Sequence, residues 1–213
     1  GANTHHGGTT VFAGTLLVSN TSGSGTGLGN VLVQNGATLS GDGMIAPAAG
    51  SNVSINAGGV LEVGTVGSVA AQTMELTLQT GSTFTLEGVI RFDLFSNQPG
   101  ETLAEADRLV VSGTGGTVNI SNATLVLNNV NGIMPEAFVA GDSWQLFDWS
   151  GLTATGNFNE ELSMLPTLAG GLTWDFSQLL GQGVIIVAPE PGRAMLLLCG
   201  LLALGWRRRR SSW

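Results

Sequence analysis

The sequence predicts an all-β fold, and its composition is the first reason. Of its 213 residues, 33 are glycine, none is tyrosine or lysine, and only 10% are charged. Threonine, serine, asparagine and valine supply much of the remainder. β-Branched residues favour strands, whereas glycine and asparagine favour turns, so we expect many short strands joined by tight turns and little helix.

A recurring signature is the second reason, and it predicts coils that stack on one another. A turn and a small residue are followed by Thr or Val and then by an apolar residue, at nearly constant intervals: Leu16, Leu39, Leu61 and Phe84. A further copy at Leu125 follows after almost two such intervals. A period of this size is typical of a solenoid coil of two or three strands that buries its apolar residues against the next. The alternative is a β-sandwich, which would place strands at a shorter spacing without the longer period.

Residues 3–46 carry a more specific pattern. The segment opens Asn-Thr-His-His-Gly-Gly-Thr-Thr, continues through Gly-Thr-Leu and a Gly/Ser stretch, and closes Asn-Gly-Ala-Thr-Leu with Gly-Asp-Gly at 41–43. This pattern resembles the autotransporter-associated β-strand repeat, with His5 standing where that family usually has an aromatic residue. The resemblance implies a right-handed parallel β-helix, which we assign to residues 1–131, and it implies no catalytic role.

The composition changes from about Gly132, where large aromatic residues become frequent. They are Phe138, Trp144, Phe147, Trp149, Phe158, Trp174 and Phe176. The last coil of a solenoid exposes a strand edge and an open core, so residues 132–188 are expected to form an aromatic-rich C-terminal β cap that closes both. The alternative is a platform on which these rings stack against carbohydrate.

The C-terminal segment, 189–213, combines three features. The first is Pro189-Glu190-Pro191, whose prolines should end any regular structure from upstream. The second is the uncharged apolar run 194–206, which predicts a single hydrophobic helix in a membrane. The third is a cytoplasmic basic cluster: Arg207, Arg208, Arg209 and Arg210.

The apolar run is short for a membrane helix. As a helix it would extend about 20 Å, whereas the hydrocarbon core is roughly 30 Å thick. Snorkelling of the flanking arginines could extend the fit by about a turn. The alternative is a buried C-terminal helix followed by a solvated run of charge.

The order and terminal position of these three features resemble the PEP-CTERM sorting signal. In that family the tail is recognised by an exosortase, a membrane cysteine protease of Gram-negative bacteria that is thought to cut near the motif. The resemblance implies an exosortase as partner, transient anchoring in the inner membrane through 194–206, and delivery to the cell surface or outside the cell. The sequence opens Gly1-Ala2 with no initiator methionine, basic start or apolar run, and residue 1 falls within a repeat, so we expect that it is a fragment or that a leader is encoded upstream.

Charge and cysteine usage exclude several functions. Residues 1–188 contain 14 acidic side chains against only Arg91 and Arg108. Such an acidic body argues against binding nucleic acid or anionic lipid. The single cysteine, Cys199, lies in the apolar run, so the body has no disulfide and no thiolate metal site.

Candidate chemistry is sparse, and each candidate has a plainer structural explanation. Adjacent His5 and His6 point to opposite faces of a strand, so they cannot readily share a metal ion. The glycine-rich stretch 23–29 lacks the spacing of a dinucleotide-binding loop and is expected to be a flexible loop. The sequence Gly41-Asp42-Gly43 is similar to a calcium-binding turn but occurs only once.

The densest acidic group could bind calcium or perform acid–base work; its members are Asp93, Glu101, Glu105 and Asp107. We prefer solvated carboxylates, with Asp107 beside Arg108. The sequence therefore predicts no catalytic residue, no cofactor and no metal site.

These observations favour a non-enzymatic, exported cell-surface or extracellular-matrix protein with a structural or adhesive role. Repeated Thr, Asn and Ser side chains on its faces would supply the contacts. The alternative is a β-helical protein that binds or degrades polysaccharide, with possible partners among extracellular polysaccharides. A lyase site would be hard to assemble, because the body has no lysine and two arginines.

Overall fold

The computed structural model describes residues 1–96 and 105–190, and in them the protein is nearly all β. The strands are β1 (Thr9–Val11), β2 (Gly14–Val18), β3 (Val31–Val33), β4 (Ala37–Gly41), β5 (Met44–Ile45), β6 (Val53–Ile55), β7 (Val60–Val63), β8 (Thr73–Leu78), β9 (Thr83–Leu86), β10 (Val89–Leu94), β11 (Arg108–Gly113), β12 (Thr117–Asn129), β13 (Ser143–Gln145), β14 (Phe147–Asp148), β15 (Ala154–Phe158), β16 (Leu172–Asp175) and β17 (Val184–Pro189). A 3₁₀ turn (Pro135–Ala137) and the short helix α1 (Leu179–Gln182) complete the elements.

Most strands belong to three parallel ladders. The first ladder runs β1-β3-β6-β9-β12-β15, the second β2-β4-β7-β10-β12, and the third β5-β8-β11-β14. Along the chain, successive strands join the first, second and third ladders in turn. We call each such set of consecutive strands a rung, and each rung pairs with the rung before it. Because β12 belongs to both the first and second ladders, these form one large parallel sheet that is nearly closed.

The long strand β12 joins the two ladders by bending at Asn122. Residues 117–120 pair with β9, whereas residues 124–129 pair with β10. Asn122 has a positive φ of 55°, a conformation that asparagine tolerates better than most residues. The register shifts between Ser121 and Ala123, as expected where one strand turns a corner.

The predicted spacing is confirmed for the first three rungs. Leu16 pairs with Leu39, and Leu39 pairs with Leu61, all in the second ladder. The next two members of this row are Ile90 and Leu125, so the prediction that Phe84 is the fourth anchor is wrong.

Phe84 instead lies in the first ladder, between Val53 and Val118. The constant period fails because residues 64–72 form a loop between β7 and β8 that lengthens the third rung. In the second ladder the interval from Leu61 to Ile90 is longer than the earlier intervals, and the interval from Ile90 to Leu125 is longer still. Leu125 therefore lies one rung beyond Ile90.

Alternating burial places the core between the ladders. Strand β10 shows the pattern clearly, because Ile90, Phe92 and Leu94 are fully buried while the residues between them are half-buried. Each rung adds a few such side chains to one continuous core. Burying each of them stabilises the fold by about 1.5–3 kcal/mol, so the stack is held by contacts between neighbouring rungs.

Two glycines allow the ladders to turn where another residue could not. Gly41 and Gly113 have φ values of 133° and 126°. A Cβ atom at these positions would overlap the carbonyl oxygens of Val18 and Leu78, which belong to the preceding rung. Glycine is needed here for both backbone conformation and close approach of the rungs.

Residues 132–188 contain a small antiparallel sheet with the order β13-β17-β16. Within it Trp144 is fully buried, its indole N–H donates to Ser96 O at 2.8 Å, and its ring packs against Phe138 and Trp174. The same stretch also contributes β14 and β15 to the parallel ladders.

The aromatic residues of this stretch fill the core. Five rings are buried: Phe138, Trp144, Phe147, Trp149 and Phe158. Trp174 and Phe176 are half-buried and pack against the same core. The alternative of a carbohydrate-stacking platform built from all seven rings is therefore wrong, because rings enclosed by protein cannot stack on a sugar.

Candidate functional site

The outer face of the second ladder carries a pair of opposite charges, Glu62 and Arg91, which are paired in register on adjacent strands. Their side chains form an ion pair at 3.9 Å, with exposures of 17% for Glu62 and 37% for Arg91. Opposite charges directly across a strand pair are mutually stabilising, although water and salt weaken an exposed pair.

The environment of Glu62 disfavours its charged form. Burial raises the pKa of Glu62 above its usual value, the positive charge of Arg91 acts in the opposite direction, and the negative charge of Asp93 raises it further. Asp93 lies two residues beyond Arg91 on β10, so both side chains leave the strand on the same face. Its carboxylate accepts a hydrogen bond of 2.9 Å from the amide of Asn128, its partner on the next strand.

Asp107 is the most deeply buried carboxyl group of this region, with 1% of the residue exposed. Its two oxygens accept backbone hydrogen bonds from Gln72 at 2.7 Å and from Asp93 at 3.1 Å. Its own N–H donates to Asp93 O at 2.9 Å. The side chain therefore ties together three segments of the chain.

Burial raises the pKa of Asp107 to about 7. The hydrogen bonds from Gln72 and Asp93 favour the carboxylate and oppose this effect, while the negative charges of Asp93 and Glu62 add to it. A carboxyl group that titrates near neutrality is a candidate acid or base, but its contacts are with backbone groups and it is enclosed. We infer that Asp107 organises the junction between segments.

An open groove of about 610 Å³ lies beside the ion pair. Its floor comes from the outer face of the second ladder and includes Glu62, Arg91 and Asn128; residues 164–166 form one wall. The groove presents a carboxylate, a guanidinium and an amide next to apolar side chains. These groups can donate hydrogen bonds to a polar ligand and accept hydrogen bonds from it. Among the described residues, no histidine, serine or cysteine that could serve nucleophilic catalysis lines the groove.

Among residues 1–96 and 105–190, no group of three or more His, Cys, Asp or Glu side chains could hold a metal ion. His5 lies at an exposed position where its ring nitrogen is 3.2 Å from the hydroxyl of Thr9. Asp42 accepts a hydrogen bond of 3.1 Å from Gln72, which gives the Gly-Asp-Gly turn a structural contact.

The predicted acidic group is brought together only in part. Asp93 and Asp107 are neighbours joined by hydrogen bonds, and the carbonyl of Glu105 accepts from Phe95 N–H at 2.9 Å. Glu101 lies outside the described residues. Sequence reasoning missed Glu62, which comes from the preceding rung; its pairing with Arg91 would have been the signal, had the longer interval between these rungs been recognised.

Residues 23–29 form a loop, as expected, but much of this loop is packed between neighbouring segments. Ser24 and Thr26 are buried, and the hydroxyl of Ser24 donates to Gly27 O at 2.6 Å. Backbone hydrogen bonds of 2.8 Å join Gly25 to Met44 on one side and Leu28 to His5 on the other. The glycines let this stretch lie closely between two neighbouring segments.

The predicted sorting segment is described only at its start. Strand β17 ends at Pro189, as the sequence predicts, and Glu190 N–H donates to Gly171 O at 3.0 Å. Pro191, the apolar run 194–206 with its predicted helix, and Arg207 to Arg210 lie outside the described residues. Within residues 1–96 and 105–190, no helix has the length and apolar character needed to cross a membrane.

Comparisons with known proteins add no relationship. No family model matches the chain, and comparisons with curated proteins and with solved structures likewise find no match.

Proposed function

We propose that this chain is a non-enzymatic, exported surface protein whose stacked β rungs serve as a structural or adhesive stalk. One observation carries the proposal. A row of polar side chains, Ser54, Thr85, Asn119 and Thr155, runs in register across four neighbouring strands of the first ladder. Such a row repeats hydrogen-bonding groups at the strand spacing of about 4.8 Å, which suits repeated contacts along an extended partner.

For the architecture we propose a right-handed parallel β-helix with residues 132–188 as its C-terminal cap. The order in which the chain visits three parallel ladders supports this assignment, as does the resemblance of residues 3–46 to the autotransporter-associated repeat. The antiparallel sheet and its buried aromatic cluster support the cap.

For the location we propose export followed by processing through a PEP-CTERM signal. The support is in the sequence: Pro189-Glu190-Pro191, the apolar run 194–206 and the four arginines at 207–210 follow one another in this order. An exosortase would be the processing partner. The end of β17 at Pro189 is compatible with a cut nearby, because regular structure stops there.

A second candidate function, polysaccharide binding, is favoured by the groove beside Glu62 and Arg91. Its volume of about 610 Å³ and its mixture of charged, amide and apolar groups would suit part of a sugar chain. We propose binding without degradation, because glycoside hydrolysis generally uses a pair of carboxyl groups and Glu62 is the one carboxyl group among the described lining residues. Asp107, whose pKa is raised to about 7, is enclosed by backbone contacts and does not line the groove.

The proposed export route can be tested in the native host by intact mass and cell fractionation. Wild-type protein is compared with a variant in which Pro189, Glu190 and Pro191 are all alanine. A matched control replaces Leu162, Ser163 and Met164 with alanine, because this stretch is also partly exposed but lies outside the motif. We expect wild type and control to end near Pro189 and to leave the inner membrane, and the motif variant to remain full length and membrane-bound.

The proposal fails if all three proteins retain residues 207–213 and fractionate alike. In that case the tail would be a permanent anchor or a buried helix, and the surface role would lose its main support.

A further inference from the structure

The outer face of the first ladder carries two rows of small polar side chains. Strands β6, β9, β12 and β15 each bury one residue of a shared row, and the two neighbours of that residue point outward. The neighbours on one side form the first row: Asn52, Thr83, Thr117 and Thr153. The neighbours on the other side form the second row: Ser54, Thr85, Asn119 and Thr155. Each strand therefore displays two hydrogen-bonding side chains separated by one buried residue.

The two rows form a regular array in two dimensions. Neighbouring strands lie about 4.8 Å apart, and alternate residues of one strand lie about 6.6 Å apart. Hydroxyl and amide groups of similar size are therefore repeated in two nearly perpendicular directions. A single extended chain can match one of these repeats, whereas a crystalline surface can match both.

Contacts within the array hold its side chains in place. The hydroxyl oxygens of Thr83 and Thr117 are 2.9 Å apart, so that one donates to the other. The Thr155 hydroxyl donates to Val118 O at 3.1 Å, and the side-chain oxygen of Asn52 accepts from Thr83 N–H at 2.9 Å. The branched Cβ of threonine further restricts χ1. Side chains that are already ordered lose little conformational entropy when they bind a rigid ligand.

The array is uncharged, although the protein is acidic. Neither row contains Asp, Glu, Lys or Arg, whereas residues 1–188 contain 14 acidic side chains against two basic ones. Such a face suits a neutral ligand, because it offers no charge to an ionic one. The aromatic residues of these four strands, Phe84 and Phe158, are buried. A polysaccharide surface presents apolar ring faces that pack well on exposed aromatic rings, and the two rows supply none.

We propose that this face binds ice. Water molecules on the prism faces of hexagonal ice repeat in two perpendicular directions. One repeat is close to the spacing between strands, and the other is slightly longer than the spacing along a strand. Hydroxyl and amide groups can hold water at such positions, because each of them can both donate and accept hydrogen bonds. Ice would then be the ligand in the adhesive role proposed above, on which this inference rests.

Slow growth of ice from a solution of the full chain in mild detergent tests ice binding. The protein content of the ice is compared with that of the remaining liquid, and a protein of similar size that ice excludes is the reference. The principal variant is Asn119→Lys, because Asn119 is exposed in the middle of the array and a lysine would project from it. Asn119→Thr keeps the array. Ser112→Lys, on the outer face of β11 in the third ladder, is the control for added charge.

We expect wild type, Asn119→Thr and Ser112→Lys to be incorporated into the ice, and Asn119→Lys to be excluded like the reference. Circular dichroism checks that each variant folds, and Thr117→Lys replaces Asn119→Lys if the latter does not. Exclusion of the wild type overturns the proposal, and so does equal incorporation of Asn119→Lys and Ser112→Lys. If the wild type is excluded from ice but binds insoluble polysaccharide, and Asn119→Lys does not bind it, the face recognises sugar instead.

The outcome is separable from that of the export experiment. Processing near Pro189 together with exclusion from ice would refute ice binding alone. Incorporation into ice by a protein that stays full length and membrane-bound in its host would refute the export route alone.

Discussion

The rungs formed by residues 1–63 and those formed by residues 83–158 stack in the same ladders but differ in length and in side-chain size. The early rungs are short: Asn30 and Asn52, which are hydrogen-bonded across one rung, are 22 residues apart. Their one aromatic residue, Phe12, points to solvent. In the later rungs the paired residues Asp93 and Asn128 are 35 residues apart, and eight Phe or Trp residues occur within 83–158.

The difference shows how a stack adapts its core to the length of its rungs. In the third ladder β5 has two residues whereas β8 and β11 have six, and in the first ladder β3 and β6 have three whereas β9 has four. Longer strands enclose a wider interior, and interiors of proteins are close-packed, so larger side chains are required to fill it. In the row Val31, Val53, Phe84, Val118 and Ala154 only one position carries a large side chain, so the added volume is filled at single positions and not along every row.

The largest loss of stability is expected when an aromatic ring is removed from the wide part of the core. Phe147 is fully buried and contacts Phe92, Trp149 and Phe158, with ring centroids 5.1, 4.7 and 5.7 Å away. Phe147→Ala should lower the free energy of unfolding by about 3–5 kcal/mol, because it leaves a cavity among these rings. Equilibrium unfolding in urea measures the loss.

Phe12→Ala is the matched control for that variant. Since its ring is 75% exposed, the free energy of unfolding should change by at most about 0.5 kcal/mol. Equal losses in the two variants would contradict the contrast between a filled core and an open first rung.

A smaller effect is expected at Asp107, which lies at the boundary between the regular and the longer rungs. Asp107→Asn places an amide N–H₂ against one of the two backbone donors, Gln72 N–H or Asp93 N–H, so that one buried hydrogen bond is lost. The free energy of unfolding should fall by about 1–3 kcal/mol at pH 5. Urea unfolding at pH 5 and at pH 8 measures the change.

The pH dependence follows from the pKa of Asp107, which is raised from 3.8 in its reference state to about 7 in the folded protein. Between these values the folded state holds a proton that the unfolded state has released. The contribution of Asp107 to stability is therefore fully present below about pH 3.8 and is lost as the pH rises through 7, by at most about 4 kcal/mol. The asparagine variant should lack this component, and its deficit should shrink at pH 8; a deficit that grows at pH 8 would argue against a raised pKa.

The smallest effect on stability is expected for the ion pair that joins the same two regions. Arg91→Gln should lower the free energy of unfolding by at most about 1 kcal/mol, because the guanidinium is more than one third exposed. If the groove binds polysaccharide, the same change should sharply reduce retention of the protein on polysaccharide from its host. Arg108→Gln is the control for retention, because this arginine does not line the groove.

Part of the fold could be predicted because its signals are local. The turn signatures located Leu16, Leu39 and Leu61 in one row, and the aromatic residues after Gly132 were correctly expected to pack against a core. The ladder to which Phe84 belongs could not be predicted, since its Gly-Ser-Thr-Phe signature is like the others. The sequence of the loop at 64–72 does not indicate which ladder the following strands join.

The candidate site was less accessible to sequence reasoning. Asp93 and Asp107 were recognised because they are close in sequence, whereas Glu62 and Arg91 meet only through the pairing of two rungs whose interval the early repeat does not predict. The burial that raises the pKa of Asp107, and the hydrogen bond from Gln72 that opposes it from 35 residues away, arise from tertiary packing that no local sequence pattern reports.

The central claim is that successive rungs stack in the stated parallel register, and cysteine cross-linking tests it most directly. In a Cys199→Ser background, Thr85→Cys is combined with Asn119→Cys, its partner on the next strand, or with Thr155→Cys, which is two strands away in the same row. The first pair should have Cα atoms about 4.8 Å apart, within reach of a disulfide, and the second about 9.6 Å apart, beyond it. We expect a bond in the first variant and none in the second under mild oxidation. No bond in the first, or equal bonding in both, would contradict the stacked register.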